Sequence, residues 1–433
     1  MQLTEQERLV LLLKQKGTGK TMSKSLSAEQ LAELTTLVRS NQVESATIST
    51  ILTAFLMLPN TDTELAWFTE VKNDFTNRVH PDCHFLFTQQ SLNSPADNLI
   101  NFAKLAIAET DLSRTEMLSA LEYIFDNSIP EQYKTAFLEA ERLKEESKQE
   151  NLATLDFCYQ KSSHDIIDLP VLIDIANPYD GFNRHYNLSL FLAPFLAALG
   201  FPVLLHGTKE VAPKRGINPY KLLKQAKKDP LKSINQVKEN LLNDQIGWAY
   251  LDQTLFCPEL HQLTALRASL VKRPVLTTIE KFLLPIQAQK TVMITGYTHP
   301  PYRQKTIDLL NHLPSLDGYL LVRGMEGSAQ APLDKRCPAI ISVNGTIEET
   351  FIRPNDFSFD EIERVSPNTA LSVEDTLKYS LTAFDKDSEA FKHLAFQAMA
   401  IITSLQLADQ KSIRTKLNHS HFITNFKQRW ERY

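Results

Sequence analysis

The sequence has no CxxC pair, no strong excess of charge of one sign, no unbroken apolar run of membrane length and no complete phosphate-binding P-loop. Its four cysteines, Cys83, Cys158, Cys257 and Cys337, are far apart. That argues against a disulfide framework or a paired-cysteine zinc site and leads us to expect reduced thiols in a cytoplasmic protein. With 46 Lys and Arg against 51 Asp and Glu, the net charge of −5 gives no global polyanion-binding signature, so affinity for nucleic acid has to come from a local patch. The first residues, MQLTEQERLV, lack the basic-then-apolar layout of a signal peptide, so secretion is not expected. Leu188 to Leu205 is uncharged, but Pro194, Gly200 and Pro202 punctuate it, which predicts a buried helix, a glycine turn and a buried strand with no membrane partner. Gly17-Thr18-Gly19-Lys20-Thr21 ends like a P-loop, yet Lys14 stands where its first glycine belongs. The segment before it, with a Thr4-to-Glu7 capping box followed by Leu9, Leu12 and Leu13, predicts a helix rather than the strand a P-loop needs. With Lys14, Lys16, Lys20 and Lys24, the stretch reads as a cationic lead into a helical region that reaches toward phosphate backbone.

What the sequence does contain is enough apolar residue, 43% of 433, to bury a large core across two or three domains. Up to about residue 165 the apolar spacing is helical. LSAEQLAELTTLVRSNQV from Leu26 and LSRTEMLSALEYIFDNSI from Leu112 share their Leu-Ser start, their helical spacing and a final β-branched residue, which suggests a duplicated module. The charged run EAERLKEESKQEN from Glu139 is expected to be a solvated helix face. From Pro170 the pattern changes to apolar runs alternating with helical segments: VLIDIA from Val171, PVLLHG from Pro202, TVMITGY from Thr291, GYLLVRG from Gly318 and AIISVNG from Ala339. Such runs predict a mostly parallel sheet covered on both faces. The expected fold is therefore α/β. A helical N-terminal module spans 1–77, a second helical segment, read as a duplicated module, spans 78–168, and an α/β domain spans 169–433, closed by a helix such as Ser388 to Leu407.

Read together, these segments resemble the anthranilate phosphoribosyltransferase and nucleoside phosphorylase group, glycosyltransferase family 3. The helical module resembles GKTMSKSLSAEQLAELTTLVRSNQVESATISTILTAFLMLPNTDTELAWF, although the family's Ala-Phe-Leu run at the matching place occurs in the later copy, IPEQYKTAFLEAERLKEES. DIANPYDGFNRHYNLSLFLAPFLAALGFPVLLHGTKEVAPKRG resembles the family's phosphate-binding strand, loop, helix and second strand. ALRASLVKRPVLTTIEKFLLPI resembles its substrate-side helices and IEETFIRPNDF its C-terminal strand. The resemblance implies a site for phosphoribosyl pyrophosphate and magnesium built on a Gly-Thr-Gly-Gly-Asp loop, in which glycines let N–H groups approach phosphate. Here that loop is Ala176-Asn177-Pro178-Tyr179-Asp180-Gly181, keeping only Asp180 and Gly181, and the Asn-x-Ser-Thr that follows keeps Asn187 and Ser189. The Lys-His-Gly-Asn-Arg element keeps His206, Gly207 and the cation Lys209, and the serine-rich loop has become APKRGINP. The acidic pair that holds magnesium aligns with Ala329-Gln330, leaving Glu326 as the nearest carboxylate, while Arg267 keeps the position that meets the anthranilate carboxylate.

The segments HPPYRQKTIDLL and EKFLLP resemble the divergent branch of this family whose members bind nucleic acid. Lys209, Lys214, Arg215, Lys221, Lys224, Lys227, Lys228 and Lys232 face only Glu210 and Asp229 in sequence, and they follow a strand end, where open α/β sheets place their crevice. Such a run is also what a solvated face looks like. Tyr179, Phe182, Tyr186 and Tyr220 are either base-stacking platforms or wall residues. His80, Cys83 and His84 have no partner pair for a metal, and no Gly-x-Ser-x-Gly elbow occurs. Three readings follow: a nucleic-acid binder with little sequence preference and no catalytic residues, an active pentosyltransferase with a rearranged phosphate site, and a dimeric interaction scaffold. No cofactor is expected unless the transferase reading holds, in which case magnesium is. The resemblance further implies a homodimer through the helical module.

Overall fold

The computed structural model of the chain describes residues 3–89, 91, 93–360 and 371–433. The chain divides into two compact units. One comprises Met1–Tyr159 with Val211–Pro213 and Gln262–Glu280; the other comprises Gln160–Glu210, Lys214–His261 and Lys281–Tyr433. The returns of the chain at 211–213 and 262–280 lie inside the stretch of sequence that otherwise forms the second unit, so a reading by continuous blocks does not register them.

In the first unit four helices, α1 (Glu5–Lys16), α2 (Ala28–Leu37), α3 (Ser45–Met57) and α4 (Asp62–Asn73), are followed by four more, α5 (Ala96–Ile107), α6 (Arg114–Phe125), α7 (Glu131–Lys144) and α8 (Lys148–Gln160). The helix α1 starts on the Thr4–Glu7 capping box and runs to Gly17, so the P-loop-like segment follows a helix and not a strand. At one constant offset α2 matches α6, α3 matches α7 and α4 matches α8, and the match extends to single hydrogen bonds. Ser27 and Ser113 both cap their helices through capping boxes. At the start of α4 the Glu64 carboxylate accepts from the N–H of Thr61 at 2.9 Å and of Leu26 at 3.0 Å. At the start of α8 Glu150 accepts from Ser147 and Leu112, both at 2.7 Å. Leu31 and Met117, Val38 and Ile124, and Val43 and Ile129 are buried at matching places.

Each buried glutamate also meets a lysine, but from a different helix in each copy: Lys16 of α1 lies 3.1 Å from Glu64, and Lys144 of α7 lies 2.7 Å from Glu150. Lys16 is therefore a core residue and not part of a cationic loop, and Lys20 is paired with Glu109 at 2.6 Å. The expected solvated face from Glu139 is overturned for the same reason. Glu139, Glu141, Lys144 and Glu150 are buried because α7 packs on α3 and α5, and ion pairs to Arg142 and Lys144 compensate part of the charge.

The second unit holds a seven-stranded sheet of β1 (Leu172–Ala176), β2 (Val203–Gly207), β3 (Trp248–Asp252), β4 (Thr291–Gly296), β5 (Gly318–Val322), β6 (Cys337–Val343) and β7 (Thr346–Ile352), in the order β3-β2-β1-β4-β5-β6-β7. The five strands from β3 to β5 in that order run parallel, and β6 and β7 join antiparallel. All five parallel strands are buried along their whole length, as continuous apolar runs require when helices cover both faces. Leu188–Leu205 resolves into the buried helix α9 (Ser189–Ala198), a turn at Gly200 with φ of +96°, and β2. Among the described residues no helix is long and apolar enough to cross a membrane. Strand order reverses direction between β1 and β4, the switch point beside which open parallel sheets commonly place their ligands.

Glu141 gives this fold a pH dependence. Its carboxylate is buried, neither oxygen has a hydrogen-bond partner among the described residues, and burial followed by the neighbouring Glu150 charge pushes its pKa up to about 9. An acid held protonated by the fold opposes folding increasingly as pH rises from its unfolded value toward that pKa. Glu141→Gln is therefore expected to stabilise the protein at pH 7 by about 2 kcal/mol and to change little at pH 4, as read by denaturant unfolding at the two pH values.

Candidate functional site

The site is built from three segments of the α/β unit: the loop after β1 (177–188), the residues 208–210 and 214–218 that follow β2, and the loop after β5 (323–333). Gly181 sits at φ +73°, and a Cβ there would lie 2.7 Å from the Gly216 carbonyl carbon and the Ile217 oxygen. Only glycine allows the first two loops to pair as they do, through Phe182 and Ile217.

Into the bend that follows runs the side chain of Glu326, which is buried although its backbone lies in the left-handed region at φ +53°. Its carboxylate accepts from the N–H of Arg184 at 2.8 Å and of Asn183 at 3.1 Å, sits 3.2 Å from His185 Nδ1, and pairs with the Lys214 ammonium at 2.7 Å. Burial raises the pKa of such a carboxyl, but His185, Lys214 and the Arg184 N–H outweigh it and hold Glu326 well below the usual carboxylate range. Two backbone N–H groups, an imidazole and an ammonium are thus gathered around one carboxylate of the chain.

The neighbouring side chains of the first loop are likewise engaged. Tyr179 turns inward, and its hydroxyl lies 2.5 Å from His206 Nδ1, whose Nε2 lies 3.0 Å from Asp174 Oδ1. A neutral His206 protonated on Nε2 satisfies both, donating to Asp174 and accepting from Tyr179. Asn177 accepts from the Ala329 N–H at 2.9 Å. Gln330 accepts from the Leu188 N–H and donates to the Tyr186 carbonyl, both at 3.0 Å. The Ala329 N–H and the Gln330 amide thus join the loop after β5 to the loop after β1 by neutral hydrogen bonds.

The structure distributes the other candidates as follows. Asp180 and Gly207 are buried at the ends of their strands' loops, and Asn187 spends its oxygen on the N–H and hydroxyl of Ser189 at the start of α9. Arg267 lies in the helical unit, buried and paired with Glu280 at 2.8 Å. Of the basic segment, Lys214 is committed to Glu326 and Lys221 to Glu210 at 2.8 Å, while Lys228 lies over the Trp430 ring and Lys232 over Tyr433. Lys209, Arg215, Lys224 and Lys227 are exposed; among the described residues the three lysines have no ion-pair partner within 4.0 Å, and Arg215 has only Glu210 at 3.9 Å. The base-stacking role of the aromatics is corrected. Tyr179, Phe182 and Tyr220 are buried, and Tyr186 is stacked on Tyr379 at 4.1 Å. His80 and His84 bond to Asn41 and the Val79 carbonyl, and no metal-holding cluster of His, Cys, Asp or Glu occurs among the described residues.

No family model matches the chain. A protein of Aquifex aeolicus described as uncharacterised is 28% identical over 243 residues, 54% of this chain and 69% of its own. The anthranilate phosphoribosyltransferase of Petrotoga mobilis is 24% identical over 261 residues, 58% of this chain and 71% of its own. Among solved structures, anthranilate phosphoribosyltransferase (TrpD) of Thermus thermophilus matches with a TM-score of 0.60 at 17% identity, covering 77% of this chain and 98% of that one. The architecture is that of the phosphoribosyltransferase-like proteins of glycosyltransferase family 3. Within that class it is the anthranilate phosphoribosyltransferase fold.

Removing the charge of Glu326 should be costly, because it strands Lys214 and His185 beside a neutral group. Glu326→Gln is expected to lower stability by about 3 kcal/mol at pH 7. A depressed carboxylate stabilises above its unfolded pKa of about 4.3 and loses that contribution as pH falls further, so variant and parent should converge in acid. Chemical denaturation at pH 7 and pH 3 reads the difference.

Proposed function

We propose that this protein is a phosphoribosyltransferase-like protein whose phosphate site has been given over to structural contacts and that binds nucleic acid, with little sequence preference, through exposed cations beside that site. The observation that carries the reading is the set Lys209, Arg215, Lys224 and Lys227. All four are exposed and three have no ion-pair partner among the described residues, on the two segments that follow the C-terminal end of β2. Exposed cations free of intramolecular partners exchange condensed counterions for phosphates at low cost, whereas the paired Lys214 and Lys221 would have to give up a carboxylate first.

Magnesium does not fit the residues present. It takes oxygen ligands, usually one or two carboxylates together with substrate phosphates. Glu326, the nearest carboxylate to the aligned pair, already accepts from two N–H groups, an ammonium and an imidazole, and Ala329 and Gln330 supply no charge. Glu326 is therefore not available to hold a metal beside a bound pyrophosphate. The alternative of an active pentosyltransferase rests on the fold and on the similarity to anthranilate phosphoribosyltransferases.

If the four cations each meet a phosphate, the log–log salt slope on single strands should be about −3. Replacing Lys209, Arg215, Lys224 and Lys227 with alanine is then expected to flatten that slope toward zero and weaken every sequence alike. Fluorescence anisotropy of single-stranded DNA and RNA across a salt series measures both. Binding that survives the replacement with an unchanged slope would refute the assignment.

A further inference from the structure

We infer that the two helical modules of this chain are paired as the two subunits of a homodimer would be, and that the pairing, closed inside one chain, leaves the protein a monomer. The helices that match each other in the repeat, α3 and α7, also pack against each other. Contact between equivalent elements is the mark of a two-fold interface, where residue i of one copy meets j of the other and j meets i in return. That reciprocity is met bond for bond. Ser49 Oγ donates to the Gln132 carbonyl at 2.8 Å, and Thr135 Oγ1 donates to the Ala46 carbonyl at 2.9 Å. Thr135 is the repeat equivalent of Ser49, and Gln132 that of Ala46. Further along the seam, Met57 and its equivalent Leu143 join one apolar cluster with Ala54, as residues near a two-fold axis meet their own counterparts.

Burial agrees with this. A helix at the edge of a small bundle normally keeps a polar stripe in water. Here every residue from Ala46 to Phe55 in α3 and from Lys134 to Glu141 in α7 is buried. One side of each helix is covered by its own module, α1 on α3 and α5 on α7, and the other side by the opposite copy.

The two copies have also diverged, so that their facing helices are no longer identical. The equivalents of Phe55 and Leu58 are Glu141 and Lys144, which are buried with Glu150 in the second copy only. In a symmetric dimer each substitution would appear twice across the axis and double the buried charge. Within one chain it appears once, and Asp111 and Glu150 are at hand to meet Lys144. An isologous surface closes when its two halves meet, so this one is not open to a second chain. A single-chain pairing thus replaces the expected homodimer through the helical region.

The test uses the full chain. Light scattering over a hundredfold concentration range is expected to give a single-chain mass, 49.2 kDa, throughout. Amide hydrogen exchange in α3 and α7 is expected to stay equally slow on dilution. A wedge in the seam, Thr135→Arg, should lower the melting temperature without changing the mass. A two-chain mass, a loss of α3 protection on dilution, or a mass that halves in the wedge variant would each overturn the inference.

Discussion

A carboxylate removed from water has to be surrounded by donors or lose its charge, and the loops at the C-terminal ends of β1, β2 and β5 are arranged around that requirement at Glu326. The residue reaches inward from a left-handed backbone position that a side chain adopts at a cost of about 1 kcal/mol, and the surrounding contacts sustain it. Its oxygens collect two backbone N–H groups, an imidazole and an ammonium, and so tie the loop after β1 to Lys214 of the loop after β2. The close passage of Gly181 against Gly216 and Ile217 keeps those two loops in register. Tyr179, Asn177 and Gln330 extend the same set of contacts by neutral hydrogen bonds. The loop after β1 is thus held from inside by side chains of its own chain.

The helical unit solves a related problem by different means. Duplicating a module duplicates its apolar faces, and the least costly way to cover them is to turn the copies toward each other. Once they meet, polar groups on the facing helices become buried and need partners. Ser49 and Thr135 find them in backbone carbonyls, and Lys144 finds them in Asp111 and Glu150. Glu141, lacking hydrogen-bond partners, is left protonated over most of the accessible pH range.

The sequence revealed the parts of this structure that depend on local pattern. The repeat was legible because Leu26-Ser27 and Leu112-Ser113 begin helices whose apolar spacing matches as far as Val43 and Ile129. The central strands were legible because continuous apolar runs have few other uses. Trp248–Asp252 was passed over because five residues with one aspartate carry no alternation to separate them from a loop. Burial of the run from Glu139 was not legible either, since a charged helix reads the same in composition whether it faces water or a second module. The role of Glu326 depends on a backbone dihedral and on donors more than a hundred positions away, which no local pattern encodes. The eight cations of the basic segment looked equivalent in sequence, and only the partners of Lys214, Lys221, Lys228 and Lys232 separate them from the exposed four.

If Glu326 holds the donors of the loop after β1, that loop is closed to pyrophosphate. Isothermal titration of phosphoribosyl pyrophosphate into the full chain, with and without magnesium, asks this directly. No saturable heat at millimolar ligand, whether or not the metal is present, is the expected result. A magnesium-dependent isotherm with one site per chain would contradict a closed loop, because Glu326 would then have to release its donors to the ligand.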